Sequence, residues 1–149
     1  MRTALITGGS RGIGAAAVRA FARAGFRAAF FYRADEAAAG AVARETGAAA
    51  IRCDVSDPAC VREACREAES TLGHIDALVN NAGIAQQKLL TDITDEDWRR
   101  MLDVNLSGAF YVTRTVLPGM ISRKRGSIVN VSSIWGQVGA SCEAHYSAA

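Results

Sequence analysis

Short apolar runs alternate along this chain with longer segments of helical spacing, and this alternation limits the fold more than any other feature. Five runs are predicted as strands: Ala4–Thr7, Arg27–Tyr32, Ala48–Cys53, Ile75–Asn80 and Ser127–Ser133. Their apolar character is mostly continuous, which is typical of parallel strands covered on both faces. Right-handed crossovers then predict an α/β fold whose open, doubly wound parallel sheet has the strand order 3-2-1-4-5.

Segments with helical spacing separate these strands. The first helix stops at Gly25, and its predicted apolar stripe consists of Ile13, Ala17, Ala20, Phe21 and Ala24. A second, alanine-rich helix covers Asp35–Glu45. A third opens at Asp57-Pro58, with proline well placed in the first turn, and its stripe consists of Val61, Ala64, Cys65, Ala68 and Leu72.

The longest predicted helix begins near Thr94, whose side chain can cap it. Its apolar stripe consists of Trp98, Met101, Leu102, Ala109, Val112 and Val116. Asn105 falls on the same stripe, and a buried amide without hydrogen-bond partners costs roughly 1–3 kcal/mol. Asn105 is therefore either a hydrogen-bonded structural bridge or part of a site.

Composition limits the class of protein further. The chain has 149 residues, half of them apolar, which fits one domain with its own core and argues against disorder. Its net charge of +2 gives no reason to expect a nucleic-acid or membrane partner, and the basic run Arg123–Arg125 is interpreted as a solvated helix end. The four cysteines form no CxxC pair, so we predict reduced, buried thiols and no metal site. No apolar run is long enough for a signal peptide or a membrane span, which predicts a cytoplasmic location.

The turn after the first strand is rich in glycine. Residues 7–14 read Thr-Gly-Gly-Ser-Arg-Gly-Ile-Gly and lead directly into a helix. Such a turn lets a pyrophosphate approach bare amides at a helix N-terminus. The spacing of its glycines matches neither the GxGxxG motif nor the phosphate-binding loop of nucleoside triphosphatases. A tight turn without any ligand therefore stays open as an alternative.

The end of the second strand bears on which dinucleotide would bind. A site for NAD usually places a carboxylate there for the ribose hydroxyls, but this strand ends in Tyr32-Arg33. Arg33, together with Arg11 from the turn, could bind a 2′-phosphate, which favours NADPH over NADH. The alternative is a pair of solvated arginines. Asp35 and Glu36 are expected to open the next helix instead.

Five motifs occur together and in order: residues 7–14, Cys53-Asp54-Val55, Asn80–Gly83 (NNAG), Asn105, and Ser133 followed by Tyr146. Over the whole chain this set resembles the short-chain dehydrogenase/reductase superfamily, and most closely its 3-oxoacyl-[acyl-carrier-protein] reductase-like members. The resemblance implies a single NAD(P)-binding Rossmann domain over residues 1–149. It also implies an NADPH-dependent oxidoreductase that reduces a 3-oxoacyl-type ketone to a secondary alcohol.

The resemblance assigns cofactor contacts to two parts of the chain. The predicted contacts of the phosphate turn are Gly8, Ser10, Arg11, Gly12, Ile13 and Gly14, with Arg33 at the 2′-phosphate. Asp54 would accept a hydrogen bond from the adenine amino group, and Val55 would lie beside the ring. Asn81, Ala82 and Gly83 would brace the sheet and contact the adenosine ribose.

The resemblance also assigns the chemistry. Tyr146 would be the general acid in carbonyl reduction, Ser133 would hold the substrate oxygen, and Asn105 would anchor a proton-relay water. A tyrosine hydroxyl starts near a pKa of ~10, so it needs positive charge nearby to act close to neutrality. In the family, the oxidised nicotinamide and a lysine four residues after the tyrosine supply that charge.

The chain departs from the family pattern at its end. It stops at Ala149, one residue before the position of that lysine, so we expect a truncated fold whose C-terminal part is missing and whose fifth strand is an exposed apolar edge. The alternative function is therefore a catalytically inactive dinucleotide-binding fragment without the lysine and substrate loop, and a purely structural domain is a third. Adding one lysine is not expected to restore activity, because the substrate pocket would still be lacking.

The segment before Tyr146 departs as well. Acyl-carrier-protein reductases often have Gln and then Asn here, but residues 141–145 read Ser-Cys-Glu-Ala-His. The substrate therefore stays open, with a carrier-linked ketone as one possibility. His145 is interpreted as a surface or interface residue rather than a catalytic base, and Cys142 has no triad that would make it a nucleophile. Full-length relatives are expected to be homotetramers or dimers.

Overall fold

The computed structural model describes residues 1–149. Five strands and seven α-helices follow one another as β1 (Thr3–Thr7), α1 (Gly12–Arg23), β2 (Arg27–Tyr32), α2 (Glu36–Thr46), β3 (Ala49–Arg52), α3 (Pro58–Leu72), β4 (Ala77–Asn80), α4 (Asp95–Leu102), α5 (Gly108–Ser122), β5 (Ser127–Asn130), α6 (Trp135–Val138) and α7 (Ala144–Ala148). A short 3-10 turn covers Leu90–Asp92, and a π-helical turn, Asp103–Ser107, joins α4 to α5.

The strands form one parallel sheet in the order β3-β2-β1-β4-β5, which confirms the predicted doubly wound fold. Two apolar clusters cover its two faces. Leu5 of β1 packs in the cluster that holds Val61 of α3 and Val112 of α5. Its neighbour Ile6 belongs to the other cluster, together with Val18 of α1. Alternate residues of a strand point to opposite faces, so the continuous apolar runs reflect a sheet covered on both sides.

The polar residues at helix starts behave as predicted. Thr94 caps α4 in a capping box, in which its side chain and that of Asp97 each accept from the other's backbone amide. Asp57 caps α3 by accepting from Ala59 N at 2.8 Å. Asp35 caps α2 by accepting from Ala38 N at 2.9 Å, which agrees with its predicted place at the start of that helix.

Two predicted apolar stripes need correction. The buried side of α1 consists of Gly14, Ala15 and Val18, whereas Ile13 is 69 % exposed. The stripe prediction was wrong there because alanines on every side leave the helical spacing ambiguous. The single long helix is in fact α4, the π-helical turn and α5, and Trp98 lies mainly outside its buried face. A π-helical turn contains one extra residue, so it rotates the side chains of α4 about the helix axis relative to those of α5.

The fifth strand is shorter than predicted. It ends at Asn130, opposite Asn80, because β4 also ends there and supplies no further backbone partners. The last ladder bond runs from Val131 N to Asn80 O at 2.9 Å. The strand pairs only with β4, and Val129 is 53 % exposed, which confirms the predicted apolar edge.

The cysteines are all free thiols. Burial raises the pKa of the Cys53 thiol above its usual range and that of Cys65 to about 12, so both stay protonated and unreactive near neutral pH. The prediction of buried thiols was wrong for Cys60, which is only half-buried, and for Cys142, which is exposed in the turn before α7. No group of three or more potential ligands for a metal ion is present. None of the helices combines the length and the apolar character that a membrane span needs.

Candidate dinucleotide site and active site

The glycine-rich turn connects β1 to the first turn of α1. Gly8 and Gly12 have φ values of +69° and +54°, a backbone conformation that side chains other than glycine rarely adopt. A Cβ atom on Gly14 would overlap the carbonyl oxygen of Gly8 and the side-chain nitrogen of Asn81. The chain therefore passes so closely over itself that only glycine fits, and the N-terminus of α1 is left open to an approaching anion.

Thr7 joins this turn to the end of β4. Its hydroxyl oxygen accepts from the backbone amides of Asn81, at 3.0 Å, and Ala82, at 2.9 Å. The Asn81 side-chain amide donates in return to the carbonyl oxygens of Thr7 and Gly8, at 3.0 and 3.3 Å. The carboxyl ends of the two central strands are thus held together, at the place where open parallel sheets bind ligands.

A cavity of about 290 Å³ opens beside the turn, over the ends of β2 and β3. It is lined by nine of the predicted cofactor contacts: Gly8, Ser10, Arg11, Arg33, Asp54, Val55, Asn81, Ala82 and Gly83. Seven residues that sequence analysis did not assign to the cofactor complete the lining: Phe31, Tyr32, Ala34, Asp35, Cys53, Ile84 and Val104. Gly12 and Gly14 lie outside the lining, consistent with a role in shaping the turn.

Most charged side chains that line this cavity have no ion-pair partner in the protein. Neither Arg11 nor Arg33 forms an ion pair, and both side chains are exposed. Arg52 donates from Nε to the backbone oxygen of Arg33 at 3.2 Å, which supports the loop that carries it. Asp54 accepts from both the amide and the hydroxyl of Ser56 through Oδ1, which leaves Oδ2 free to accept from a ligand. A phosphate and an amino group could therefore both find partners here.

A second cavity of about 300 Å³ lies against the first. The three predicted catalytic residues, Asn105, Ser133 and Tyr146, line it together with Ile13. Residues 81–84 line both cavities and so form their common wall. The structure thus brings the three residues to one place, although they come from the π-helical turn, the loop after β5 and α7.

Asn105 is the hydrogen-bonded bridge that its position on the helix predicted as one alternative, and it also lines the second cavity. Its Oδ1 accepts from Ile84 N at 2.8 Å, and its Nδ2 donates to Ile84 O at 2.9 Å. It is thus a satisfied bridge between the π-helical turn and the wall of the second cavity. Because an amide oxygen can accept two hydrogen bonds, one acceptor position remains for a ligand or water. Rare π-helical turns are frequent at functional sites, where they reorient one side chain.

The two hydroxyl groups differ in their surroundings. Ser133 lies in the loop after β5 rather than in the strand, and its Oγ accepts weakly from Trp135 N at 3.3 Å. Tyr146 is half-buried and lines the second cavity, and its hydroxyl forms no hydrogen bond with the protein. Both groups can therefore donate to a substrate oxygen.

Comparison with known proteins decides the family. The model of the short chain dehydrogenase family matches residues 2–149, which is nearly the whole chain. The chain belongs to the short chain dehydrogenase family. Members of this family are oxidoreductases that bind a nicotinamide dinucleotide, which agrees with the cavity beside the glycine turn.

Three curated relatives within this family are similar to the chain. An acetoacetyl-CoA reductase of Shinella zoogloeoides is 46% identical over 149 residues, and one of Paracoccus denitrificans is 43% identical over 148. A 3-oxoacyl-[acyl-carrier-protein] reductase of Synechocystis sp. is 37% identical over 153 residues. The matches cover 99% of this chain but 61%, 61% and 62% of these relatives, so the chain spans about three fifths of their length.

The chain also contains a polar cluster that the sequence did not predict. His145 is fully buried, so its predicted place at the surface was wrong. Its Nε2 lies 2.8 Å from Oε1 of Gln86, and Gln86 Nε2 donates to Asp97 Oδ1 at 3.0 Å. No local pattern in the sequence predicts this cluster, because its members come from separate elements that only the fold brings together.

Proposed function

We propose that this chain binds NADPH across the two adjoining cavities. The diphosphate would lie at the glycine turn, the adenosine in the first cavity and the nicotinamide towards the second. The observation that carries the proposal is the tight glycine turn before α1, in which a Cβ on Gly14 would overlap the carbonyl oxygen of Gly8. It opens directly into a cavity where Arg11 and Arg33 have no acidic partner. Two free guanidinium groups favour a 2′-phosphate and hence NADPH over NADH.

We further propose that the whole protein reduces a ketone of the 3-oxoacyl type to a secondary alcohol. When bound, the nicotinamide supplies a hydride for the carbonyl carbon. Tyr146 donates its phenolic proton to the carbonyl oxygen, and Ser133 donates a hydrogen bond that holds this oxygen. Asn105 binds a proton-relay water at its remaining acceptor position. The names of the relatives support acetoacetyl-CoA and carrier-bound 3-oxoacyl groups as candidate substrates.

Partners and location belong to the same proposal. An exposed apolar stripe runs along the π-helical turn and α5 and consists of Leu106, Phe110, Leu117 and Ile121. Such a stripe supports assembly of the whole protein as a dimer or tetramer. A carrier-bound substrate would place the protein in fatty acid biosynthesis, and the cytoplasmic location predicted from the sequence stays a prediction.

Titration of the 149-residue chain tests the cofactor proposal. Trp135 lies next to Gly136, which lines the second cavity, so we expect saturable quenching of tryptophan fluorescence by NADPH and weaker binding of NADH. No saturation with either dinucleotide would contradict the proposal and support a purely structural domain.

Turnover separates the enzyme from the inactive dinucleotide-binding fragment, which is the second candidate. NADPH oxidation with acetoacetyl-CoA that disappears in Tyr146→Phe, but not in the control Tyr111→Phe, supports catalysis by Tyr146. NADPH binding without any oxidation by the wild-type chain supports the fragment instead. Tyr111 is a suitable control because it lies on α5, packs against the apolar core and lines neither cavity.

A further inference from the structure

A connected polar cluster links the start of α4 to the helix that carries Tyr146. Asp97 accepts through Oδ2 from Lys88 and from the backbone amide and hydroxyl of Thr94, and through Oδ1 from Gln86 Nε2. The Gln86 side chain continues to His145 at 2.8 Å. Hydrogen bonds from Lys88, Gln86 and Thr94 hold the pKa of the Asp97 carboxyl far below its usual range, so it is ionised at neutral pH.

The proton positions in this cluster follow from the chemistry of Asp97. An ionised carboxylate can only accept, so the Gln86 amide must turn its NH₂ group towards Asp97. Its Oε1 then faces His145 and requires a donor there. In its neutral form His145 is therefore the Nε2–H tautomer, and its Nδ1, buried without any protein partner, bears the lone pair.

The cluster acts on a very short helix. Tyr146 follows His145 directly in α7, which has only five residues and no side-chain cap. So short a helix has little stability of its own, and contacts with the rest of the protein must place it. The segment around Gln86 provides them: Lys88 N donates to Cys142 O at 2.7 Å, and Gln87 donates to Glu143 at 3.1 Å.

We propose that Asp97 is a positioning residue for Tyr146. By orienting the Gln86 amide it selects the His145 tautomer, and this hydrogen bond fixes the first turn of α7 at the second cavity. The inference rests on the proposed role of Tyr146 as the proton donor, but the coupling itself involves only residues of this chain. It gives Asp97, which touches neither cavity, an effect on the proposed reacting group.

The substitution Asp97→Asn tests the coupling. Lys88 Nζ and the amide and hydroxyl of Thr94 all donate to Asp97 Oδ2, so an oxygen must stay at that position in the variant. The amide of the new asparagine must therefore turn its NH₂ group towards Gln86. The Gln86 amide then reverses, presents its own NH₂ to His145, and moves the imidazole proton to Nδ1. Two-bond ¹H–¹⁵N spectra of the ¹⁵N-histidine-labelled chain distinguish the two tautomers. The chain has two histidines, and a His74→Gln sample assigns them.

We expect the Nε2–H form in the wild-type chain and the Nδ1–H form in Asp97→Asn. The matched control is Asp95→Asn, on the same exposed turn of α4, whose only partner is Arg99. In ¹³C-tyrosine-labelled samples the Tyr146 ring resonances should shift in Asp97→Asn and stay in place in the control. A folded Asp97→Asn chain that keeps the Nε2–H form would overturn the proposal, and so would a tautomer change that leaves the Tyr146 resonances in place.

A second variant decides the matter if Asp97→Asn does not fold. Gln86→Met keeps the shape of the side chain but removes the acceptor, so both tautomers of His145 should be populated. A single Nε2–H form in that variant would show that Gln86 does not select it and would overturn the inference. Failure of NADPH to bind would contradict the proposed function without changing any of these spectra, so the two failures are distinguishable.

Discussion

The side-chain amide of Asn81 donates to the carbonyl oxygen of Thr7 over 3.0 Å, across 74 positions of sequence. Together with the Thr7 hydroxyl, this bond joins the carboxyl ends of β1 and β4. The wall between the two cavities begins at Asn81, so the same bonds set where the proposed adenosine and nicotinamide positions meet. A sheet-bracing contact is therefore also a determinant of the site.

Replacing Thr7 by Val should lower both stability and NADPH affinity. The substitution keeps the size of this buried side chain but leaves the backbone amides of Asn81 and Ala82 without an acceptor. We expect a loss of about 2 kcal/mol in the free energy of unfolding, measured with urea. The control is Thr71→Val, where an exposed hydroxyl only donates back to Glu67 of its own helix. Equal stabilities of the two variants would contradict the bracing role.

Position 14 should tolerate no residue larger than glycine. Gly14→Ala places a methyl group against the backbone of Gly8, so we expect a loss of about 2 kcal/mol and no NADPH binding. Gly40→Ala in α2 is the matched control, because its new methyl group meets only the flexible end of Arg44. That variant should gain about 0.5–1 kcal/mol, since alanine favours a helix over glycine. Thermal unfolding and fluorescence titration measure both effects, and a Gly14→Ala chain that binds NADPH normally would contradict the requirement for a tight turn at Gly14.

Arg33→Ala should remove the preference for NADPH. The guanidinium lies at the edge of the first cavity with no acidic partner, so a 2′-phosphate would gain a charge-assisted hydrogen bond from it. We expect NADPH to bind about tenfold more weakly, which corresponds to about 1.4 kcal/mol, while NADH binding stays constant. Arg23→Ala at the end of α1 should change neither affinity. An unaltered ratio of the two dissociation constants in Arg33→Ala would contradict the assignment.

Asp76 precedes β4 at the amino end of the sheet, opposite the cavities, and it should make the stability of the fold depend on pH. Burial acts to raise the pKa of this carboxyl, but the hydrogen bond from Thr3 N and the charges of His74 and Arg125 outweigh it, so the pKa is lowered. A lowered pKa means that the folded state binds the proton less readily than the unfolded state. The stabilisation is therefore complete above the ordinary value of 3.8 and is lost as the pH falls through the lower folded value.

Urea unfolding of Asp76→Asn measures this contribution. The variant should be less stable than the wild-type chain at neutral pH, and the difference should shrink as the pH falls below about 4. Asp103→Asn is the control, because that exposed carboxylate forms no ion pair. A difference between Asp76→Asn and the wild-type chain that stays constant from neutral pH to pH about 2 would contradict the linkage.

Sequence analysis predicted the parts of the fold that depend on neighbouring residues. Strand β2, the caps Asp35, Asp57 and Thr94, and the order of the sheet agree with the structure. Nine of the twelve predicted cofactor contacts line the first cavity, and the three predicted catalytic residues line the second. Motifs at strand ends can be located in this way because parallel strands bring their carboxyl ends to one edge of the sheet.

Other features were decided only by tertiary contacts. The end of β5 is set by the end of β4, and the pairing of Asn105 depends on Ile84, 21 positions away. His145 was predicted as a surface or interface residue, and its own helix of five residues is too short to show a buried face. Its burial depends on Gln86, 59 positions away, and on the packing of α7 against α4. The sequence by itself determined which elements form and where a dinucleotide could meet the sheet, because local spacing and backbone chemistry suffice for that. Only the tertiary structure decided which polar side chains are buried as partners, since a hydrogen bond between distant residues leaves no trace in local spacing.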